Sequence, residues 1–243
     1  MNLIEIFSSA QGEGKFIGCR QIFVRMADCN LRCAYCDTNF SRADFCNVET
    51  FAGAMEFAPI KNPVTVAQVV DVVKNFCEQV PTHSVSFTGG EPLLNWQFVF
   101  DAATEIKKVC DVKIFLETNG TLADELAKVL SVVDIISMDV KFSSVTNEDT
   151  FTRHKKFLQI AREKDLYVKA VLSDETTAKE FFRAVELVAE ISPNILFVIQ
   201  PVTPVGTVKA ASPKKILQFQ AAALKILRDV RIIPQTHKAI NIF

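Results

Sequence analysis

Short runs of β-branched and aromatic residues alternate along the chain with longer segments in which apolar residues recur every three or four positions. The short runs have the length of strands, and the longer segments have the length of amphipathic helices. Strands are predicted at 21–27, 84–89, 112–118, 134–140, 167–173, 195–201 and 230–234. Helices are predicted at 66–79, 96–109, 122–130, 147–164, 176–190 and 212–227.

This alternation predicts parallel βαβ units, arranged either as an open doubly wound sheet or as a complete or partial barrel. In both architectures ligands bind beyond the carboxyl ends of the strands. The segment 41–64 has no clear period and separates a cysteine-rich loop from the first predicted helix. We therefore expect one domain over residues 1–243, in which this insertion either wraps the site as a lid or is an ordinary surface insertion.

Composition narrows the class of partner. The chain has 243 residues, 49% of them hydrophobic and 23% charged, which is enough to bury one sizeable core. The formal net charge is −1 and acidic and basic residues are dispersed, so we expect a small-molecule partner rather than nucleic acid or an anionic membrane. Because the sequence shows neither a secretion signal nor an uncharged run of about 18 residues, it predicts a cytoplasmic protein.

Seven cysteines, an odd number, predict reduced thiols or metal ligands in that compartment rather than a disulfide framework. Three of them, Cys29, Cys33 and Cys36, have the spacing C-x3-C-x2-C, so that one loop can present three thiolates to one inorganic centre. A closed zinc site usually takes four protein ligands, and the other cysteines and the three histidines are scattered. A four-iron cluster held by three thiolates instead leaves one iron open to a ligand with an amine and a carboxylate.

Polar or glycine-rich turns follow five of the predicted strands, so their side chains should meet at one edge of the sheet. The first of these turns carries the cysteines. The others carry Gly89, Gly90, Glu91, Glu117, Asn119, Asp139, Lys141 and Gln200. One site built from many loops is therefore expected.

Two of these motifs carry a resemblance to a known family. The cysteine loop, with Tyr35 before its last cysteine, and the later stretch TGGEP (88–92) resemble the signatures of the radical S-adenosylmethionine (SAM) enzymes. The resemblance implies a partial (β/α)6-type TIM barrel, a 4Fe-4S cluster on the three cysteines, and SAM as the source of a substrate-activating radical.

Three further motifs resemble one branch of that superfamily, the 7-carboxy-7-deazaguanine synthases. They are FSSAQGEGKFIG (7–18), the pair Asp37-Thr38 directly after the third cysteine, and the ending RIIPQTHKAINIF. The resemblance implies ring contraction of 6-carboxy-5,6,7,8-tetrahydropterin to 7-carboxy-7-deazaguanine with loss of ammonia, on the route to deazapurines such as queuosine. It also implies a Mg²⁺ requirement, an external reductant such as flavodoxin or ferredoxin, and a homodimer.

The same resemblance, together with residue chemistry, gives a predicted site. The pterin edge presents N–H donors that a carboxylate or a backbone carbonyl can accept, and the substrate carboxylate suits an arginine or a hard cation. Predicted substrate contacts are Ala10, Gln11, Gly12, Glu13, Arg25, Thr88, His237 and the terminal carboxylate of Phe243. Predicted cofactor contacts are Tyr35, Asp37, Gly89, Gly90, Glu91, Glu117, Asn119, Asp139, Lys141 and Gln200, with Thr38 as the magnesium ligand.

Simpler interpretations stand beside these. Arg25 can be a structural ion-pair partner, Thr38 a helix N-cap, and Asp139 with Lys141 a surface pair. At the level of the whole protein, a radical SAM activating enzyme that acts on a glycine of a partner protein shares the cysteine loop. That alternative does not explain the QGEG motif, the Asp37-Thr38 pair or the ending with His237 and Lys238. A non-enzymatic zinc or iron–sulfur binding module is a second alternative.

Overall fold

The structure is a computed structural model that describes residues 1–36 and 43–242. Its strands are β1 (Leu3–Ala10), β2 (Arg20–Met26), β3 (Phe45–Glu49), β4 (Phe57–Lys61), β5 (Ser84–Gly89), β6 (Lys113–Thr118), β7 (Ile135–Val140), β8 (Asp165–Leu172), β9 (Leu196–Pro201) and β10 (Val230–Ile232). Its helices are α1 (Val66–Gln79), α2 (Trp96–Val109), α3 (Ala123–Val129), α4 (Ser143–Thr146), α5 (Phe151–Ala161), α6 (Ala178–Ile191), α7 (Pro213–Ala223) and α8 (Thr236–Ala239).

The strands form a single sheet in the order β10-β9-β8-β7-β6-β5-β2-β1-β3-β4. From β2 to β10 every neighbouring pair is parallel, whereas β1 runs antiparallel to β2. Helices follow β5 to β9 along the chain, as the alternation predicts. The α/β class and the partial barrel expected from the sequence are confirmed.

Helices α1, α6 and α7 begin at a residue whose side chain caps the helix. Thr65 accepts from the backbone N–H of Gln68, whose side chain accepts in return, and Thr177 and Glu180 form the same reciprocal cap. Helices α1 and α2 match their predicted bounds, but the helix predicted at 147–164 is interrupted: Asn147 has a left-handed backbone (φ 59°) that ends α4, and α5 begins at Phe151. Of the helices in the described residues, none has the length and hydropathy needed to cross a bilayer.

The segment 41–64 contributes two strands to the sheet. Its described part, 43–64, forms β3 and β4, which continue the sheet beyond β1, and none of its side chains borders the cavity described below. Cys46 lies in β3 and is fully buried, so it is a core thiol. Three strands, β1, β3 and β4, were therefore missing from the sequence-based prediction.

The amino-terminal end of the barrel interior is filled with apolar side chains. Phe115, Ile135, Tyr167, Leu196 and Val198 are buried together there, and Phe16 and Ile233 pack against them. Phe16 belongs to the loop that joins β1 to β2, so this loop reaches across the barrel interior. Because these side chains fill the amino end of the barrel interior, a ligand inside the barrel would lie at the carboxyl ends of the strands.

Candidate active site

A cavity of about 210 Å³ lies at the carboxyl ends of the central strands. It is bordered by seventeen of the residues predicted from the sequence: Gln11, Gly12, Glu13, Arg25, Cys29, Cys33, Tyr35, Cys36, Thr88, Gly89, Gly90, Glu117, Asn119, Asp139, Lys141, Gln200 and His237. The structure thus brings one group of residues from five strand ends together with the motifs near both ends of the sequence.

The cysteine loop presents three free, partly buried thiols to this cavity. The backbone N–H of Cys36 donates to the carbonyl of Cys33 (3.0 Å), and Ala34 donates to Val145, which fastens the loop to α4. Burial raises the pKa of Cys29 and of Cys33. Among residues 1–36 and 43–242 no three Cys, His, Asp or Glu side chains are arranged to hold one metal ion. A 4Fe-4S cluster takes each thiolate on a different iron, so three thiols that border one cavity suit such a cluster.

The glycine pair Gly89-Gly90 at the end of β5 lets this turn approach the backbone that follows β2. The N–H of Gly90 donates to Met26 (2.8 Å) and that of Glu91 to Asp28 (2.7 Å). A Cβ on Gly90 would lie 1.9 Å from the Asp28 carbonyl oxygen, and Gly89 has φ +98°. Only glycine fits this approach, which fixes the turn against the start of the cysteine loop.

Glu91 does not border the cavity, although it was predicted as a cofactor contact. Its carboxylate is fully buried and accepts from the backbone N–H of Asn119 (2.7 Å), the hydroxyl of Thr118 and the N–H of Leu93. Burial raises the pKa of Glu91 to about 7 despite these bonds. In the structure Glu91 holds the turn after β6, which places Asn119 with its side-chain amide 3.9 Å from the Cys29 sulfur.

Two lysines and two carboxylates that border the cavity form a chain of ion pairs. Lys141 Nζ donates to Asp139 Oδ2 (2.8 Å) and lies 5.4 Å from the ring centroid of Tyr35, in the cysteine loop. Burial would raise the pKa of Asp139, but Lys141 and Lys169 lower it. Burial would likewise raise the pKa of Glu13, but the Lys169 ammonium lowers it to about 2. Both carboxylates are ionised at neutral pH.

Other residues that border the cavity carry amide and hydroxyl groups. Gln11 donates to Gln21 (3.0 Å) and Glu117 (2.9 Å), and Thr88 donates to the other Glu117 oxygen (2.6 Å). Arg25 also borders the cavity, with its Nε 2.8 Å from a Glu5 carboxylate oxygen. The simpler interpretation of Arg25 as an ion-pair partner is therefore correct for Nε.

The motif near the end of the sequence packs onto the loop after β1. Thr236 N–H donates to the Gly12 carbonyl (2.9 Å), and Gln235 Nε2 donates to Glu13 Oε1 (2.7 Å). A Cβ on Gly12 would lie 2.0 Å from His237 Nδ1, so glycine lets the His237 ring sit directly on this loop.

Some predicted residues lie elsewhere. Ala10 ends β1 outside the cavity lining, and Asp37, Thr38 and Phe243 lie outside the described residues. Sequence reasoning missed Phe7, Phe23, Leu31, Thr118, Lys169, Val171, Val202, Thr203, Gln235 and Lys238 among the lining residues. Lys169 had a detectable signal, because a lone lysine inside an apolar strand is rarely buried without a partner.

Several buried polar atoms have no hydrogen-bond partner among the described residues, and one of those that border the cavity is a side-chain amide oxygen. Gln200 borders the cavity and its Oε1 is buried without a hydrogen bond there. A buried amide oxygen of this kind is costly unless a ligand donates to it. This acceptor fits a ligand that carries an N–H or O–H group, such as SAM.

Known proteins are similar to this chain over most of its length. Residues 23–204 match the model of the Radical SAM superfamily. A 7-carboxy-7-deazaguanine synthase of Geobacter sulfurreducens is 40% identical over 240 residues, covering 97% of this chain and 95% of the relative. Another protein of that name, from Methanocaldococcus jannaschii, is 35% identical over 250 residues and 98% of each chain.

Solved structures share the fold at low sequence identity. The crystal structure of QueE from Escherichia coli has a TM-score of 0.58 at 16% identity, covering 96% of this chain and 92% of that one. Native anSMEcpe with bound AdoMet also has a TM-score of 0.58 at 16% identity, covering 85% of this chain and 61% of that one.

Proposed function

The chain belongs to the 7-carboxy-7-deazaguanine synthase family of radical SAM enzymes, and from this premise we propose that it converts 6-carboxy-5,6,7,8-tetrahydropterin to 7-carboxy-7-deazaguanine with release of ammonia. One observation carries the proposal. A single cavity is bordered by the cysteine loop, by the Gly89-Gly90 turn and by the segment Gln11–Glu13 with His237 packed on it. The first two features resemble the motifs of the radical SAM superfamily, and the third carries the resemblance to the 7-carboxy-7-deazaguanine synthases.

The residues present fit the cofactors of the family, a 4Fe-4S cluster and SAM. Cys29, Cys33 and Cys36 would hold the cluster. SAM would be held by Gly89, Gly90, Asp139, Lys141 and Gln200, beside Tyr35, Glu117 and Asn119. When bound, this pair supplies a carbon-centred radical that abstracts hydrogen from the substrate. The chain itself supplies orientation and keeps water away from the reacting carbon.

The pterin would be held from the QGEG side of the cavity. Each Glu13 oxygen is already bonded once, to Lys169 or to Gln235, and each keeps a further lone pair for the pterin N–H groups. Because the pKa of Glu13 is lowered to about 2, the group accepts and does not donate at neutral pH. Gln11, Thr88 and His237 complete this side, and Arg25 faces the substrate carboxylate.

Several components of the proposal lie outside the described residues. Thr38 as the magnesium ligand, Asp37 as a SAM contact and the Phe243 carboxylate as a pterin acceptor are proposals that follow from the family's motifs. The external flavodoxin or ferredoxin, the homodimer and the cytoplasmic location stay predictions as well. The reaction class does not depend on them.

The test is an anaerobic reaction of reconstituted, reduced protein with SAM, Mg²⁺ and 6-carboxytetrahydropterin, followed by mass spectrometry. A product whose mass corresponds to loss of ammonia, formed in many turnovers per SAM, supports the proposal. Accumulation of 5′-deoxyadenosine without a deazapurine would contradict the substrate and would favour the activating-enzyme alternative.

A further inference from the structure

Lys169 is a buried cation that the family motifs do not include. It lies in the middle of β8, between apolar neighbours, and its side chain is only 4% exposed. Its ammonium lies 2.5 Å from Glu13 Oε2 and 3.3 Å from Asp139 Oδ1. One lysine therefore contacts two carboxylates that come from different parts of the chain.

The two carboxylates belong to the two halves of the site. Glu13 also accepts from Gln235, which in turn accepts from the Thr203 hydroxyl (2.6 Å), so this carboxylate belongs to the proposed pterin side. Asp139 also accepts from Lys141, which lies over Tyr35 of the cysteine loop, so this carboxylate belongs to the proposed SAM side. Lys169 is one point at which the two sides meet, and Glu117, which accepts from Gln11 and Thr88, is another.

The charges around Lys169 make its position depend on both carboxylates. Burial would lower the pKa of Lys169, but Asp139 and Glu13 raise it well above the usual range, so the ammonium stays charged. Without this cation the Glu13 and Asp139 carboxylates would repel each other, and the nearby Glu117 carboxylate would add to the repulsion. Any movement of one carboxylate toward a ligand changes the position of the shared ammonium and, through it, the other carboxylate.

On the basis of the proposed function, we propose that Lys169 is a positioning residue that couples pterin binding to SAM binding. A ligand that fixes Glu13 also fixes the Lys169 ammonium, which then holds Asp139 in place for the second ligand. Such coupling is reciprocal, so each ligand should raise the affinity for the other by the same factor. Lys169 itself need touch neither ligand.

The experiment measures binding without turnover. Reconstituted protein with an oxidised cluster is titrated with SAM by anaerobic calorimetry, with and without saturating 6-carboxytetrahydropterin. For the unaltered protein we expect the pterin to tighten SAM binding about 10-fold, within the usual range of such coupling. Lys169→Met should lower that factor toward 1, leaving only the part carried by Glu117, and Lys169→Arg, which keeps a cation with several donors, should restore most of it.

Controls separate coupling from structural damage. Lys15→Met is the control, because Lys15 also contacts a carboxylate of β8, that of Asp165, but at the exposed start of the strand. This variant should keep the coupling factor of the unaltered protein. If Lys169→Met does not fold, Lys169→Gln fills similar volume and can donate to one carboxylate but carries no charge, so it should also lose the coupling.

The outcomes are distinct. A Lys169→Met or Lys169→Gln protein that binds both ligands more weakly but keeps the unaltered coupling factor would show a structural role only and overturn the inference. The inference also fails if the unaltered protein binds both ligands with no coupling. An unaltered protein that does not bind the pterin at all would overturn the proposed function, and the coupling with it.

Discussion

The two ends of the barrel interior differ in chemistry, although the same four strands build both. At the amino end, β6 to β9 contribute Phe115, Ile135, Tyr167, Leu196 and Val198. At the carboxyl end the same strands contribute Glu117, Asp139, Lys169 and Gln200. Inward-facing positions lie two residues apart, so a step from Tyr167 to Lys169, or from Phe115 to Glu117, crosses from one layer to the other.

The difference between the two layers shows that stability depends mainly on one of them and ligand binding on the other. The apolar layer gains its stability from burial, which is non-directional and tolerates conservative exchange. The charged layer is costly to bury and is stable only because each of its charges has a partner within hydrogen-bond distance. Substitutions in the first layer should therefore change stability, and substitutions in the second should change binding and turnover.

The largest expected effect is at the carboxyl end of the barrel, where the cysteine loop borders the cavity. Cys33→Ala removes one of three thiols and should abolish cluster retention and SAM cleavage together, measured by visible absorbance and by 5′-deoxyadenosine formation. Cys46→Ala is the matched control, because Cys46 is a buried thiol in β3, away from the cavity, and its removal should leave the cluster in place. SAM cleavage by the Cys33→Ala protein would refute the ligand assignment.

Two glycines of one loop allow the two layers to be compared directly. A Cβ on Gly12 would lie 2.0 Å from His237, whereas a Cβ on Gly14 would lie 2.4 Å from the Tyr167 ring. Gly12→Ala should displace His237 and lower kcat/KM for the pterin by about 10- to 100-fold. Gly14→Ala should mainly lower stability, by about 1–2 kcal/mol or more, since Gly14 has φ +66°. Equal effects of the two on kcat/KM would contradict the division into layers.

A cavity in the apolar layer should affect stability alone. Phe115 is fully buried, and Phe115→Ala should cost about 3–5 kcal/mol in the free energy of unfolding, measured by urea denaturation. Phe115→Leu should cost much less because it keeps most of the volume. If Phe115→Ala also weakened SAM binding more than a few-fold in folded protein, the two layers would not be independent.

The smallest expected effect concerns a buried neutral imidazole, which bonds to the turn that carries Asn119. His154 is fully buried, with Nε2 3.0 Å from the Asn119 carbonyl oxygen, and burial lowers its pKa to about 3. The unfolded chain binds this proton below about pH 6.5 while the folded protein does not. Stability should therefore fall as the pH drops through 6.5 toward 3, by up to about 1.4 kcal/mol per pH unit.

His154→Gln keeps a hydrogen-bond donor but does not titrate. Denaturation at pH 7.5 and at pH 5.5 should show about 1 kcal/mol less loss of stability in this variant than in the unaltered protein. An unchanged pH dependence would mean that His154 is not the group responsible.

Much of the fold follows from local patterns. The strands from β5 to β9 are buried on both faces, so they read as continuous apolar runs, and the helices between them have one apolar face. The missing strands are those at the added edge. Strand β4 has exposed residues at Ala58, Pro59 and Lys61, so it shows no apolar alternation, and β1 was seen as the leading part of a motif rather than as a strand.

The site was less predictable than its motifs suggest. Residues in turns could be assigned because the resemblance covers them, but the partner of each residue depends on the register of distant strands. Glu91 was assigned to a ligand, whereas its carboxylate bonds to the turn after β6, 27 residues away in the case of Thr118. Lys169 has a local signal of a buried ion pair, a lysine inside an apolar strand, but nothing local indicates that its partners are Glu13 and Asp139.

The hydrogen bond between Thr236 and Gly12 joins residues that are 224 positions apart. Bringing such distant segments together costs loop-closure entropy until the intervening strands are in place, so this contact should form late in folding. In partial denaturation it should also be among the first to open. The pterin side of the cavity would then be the last part of the site to assemble and the first to be lost, while the barrel below it remains folded.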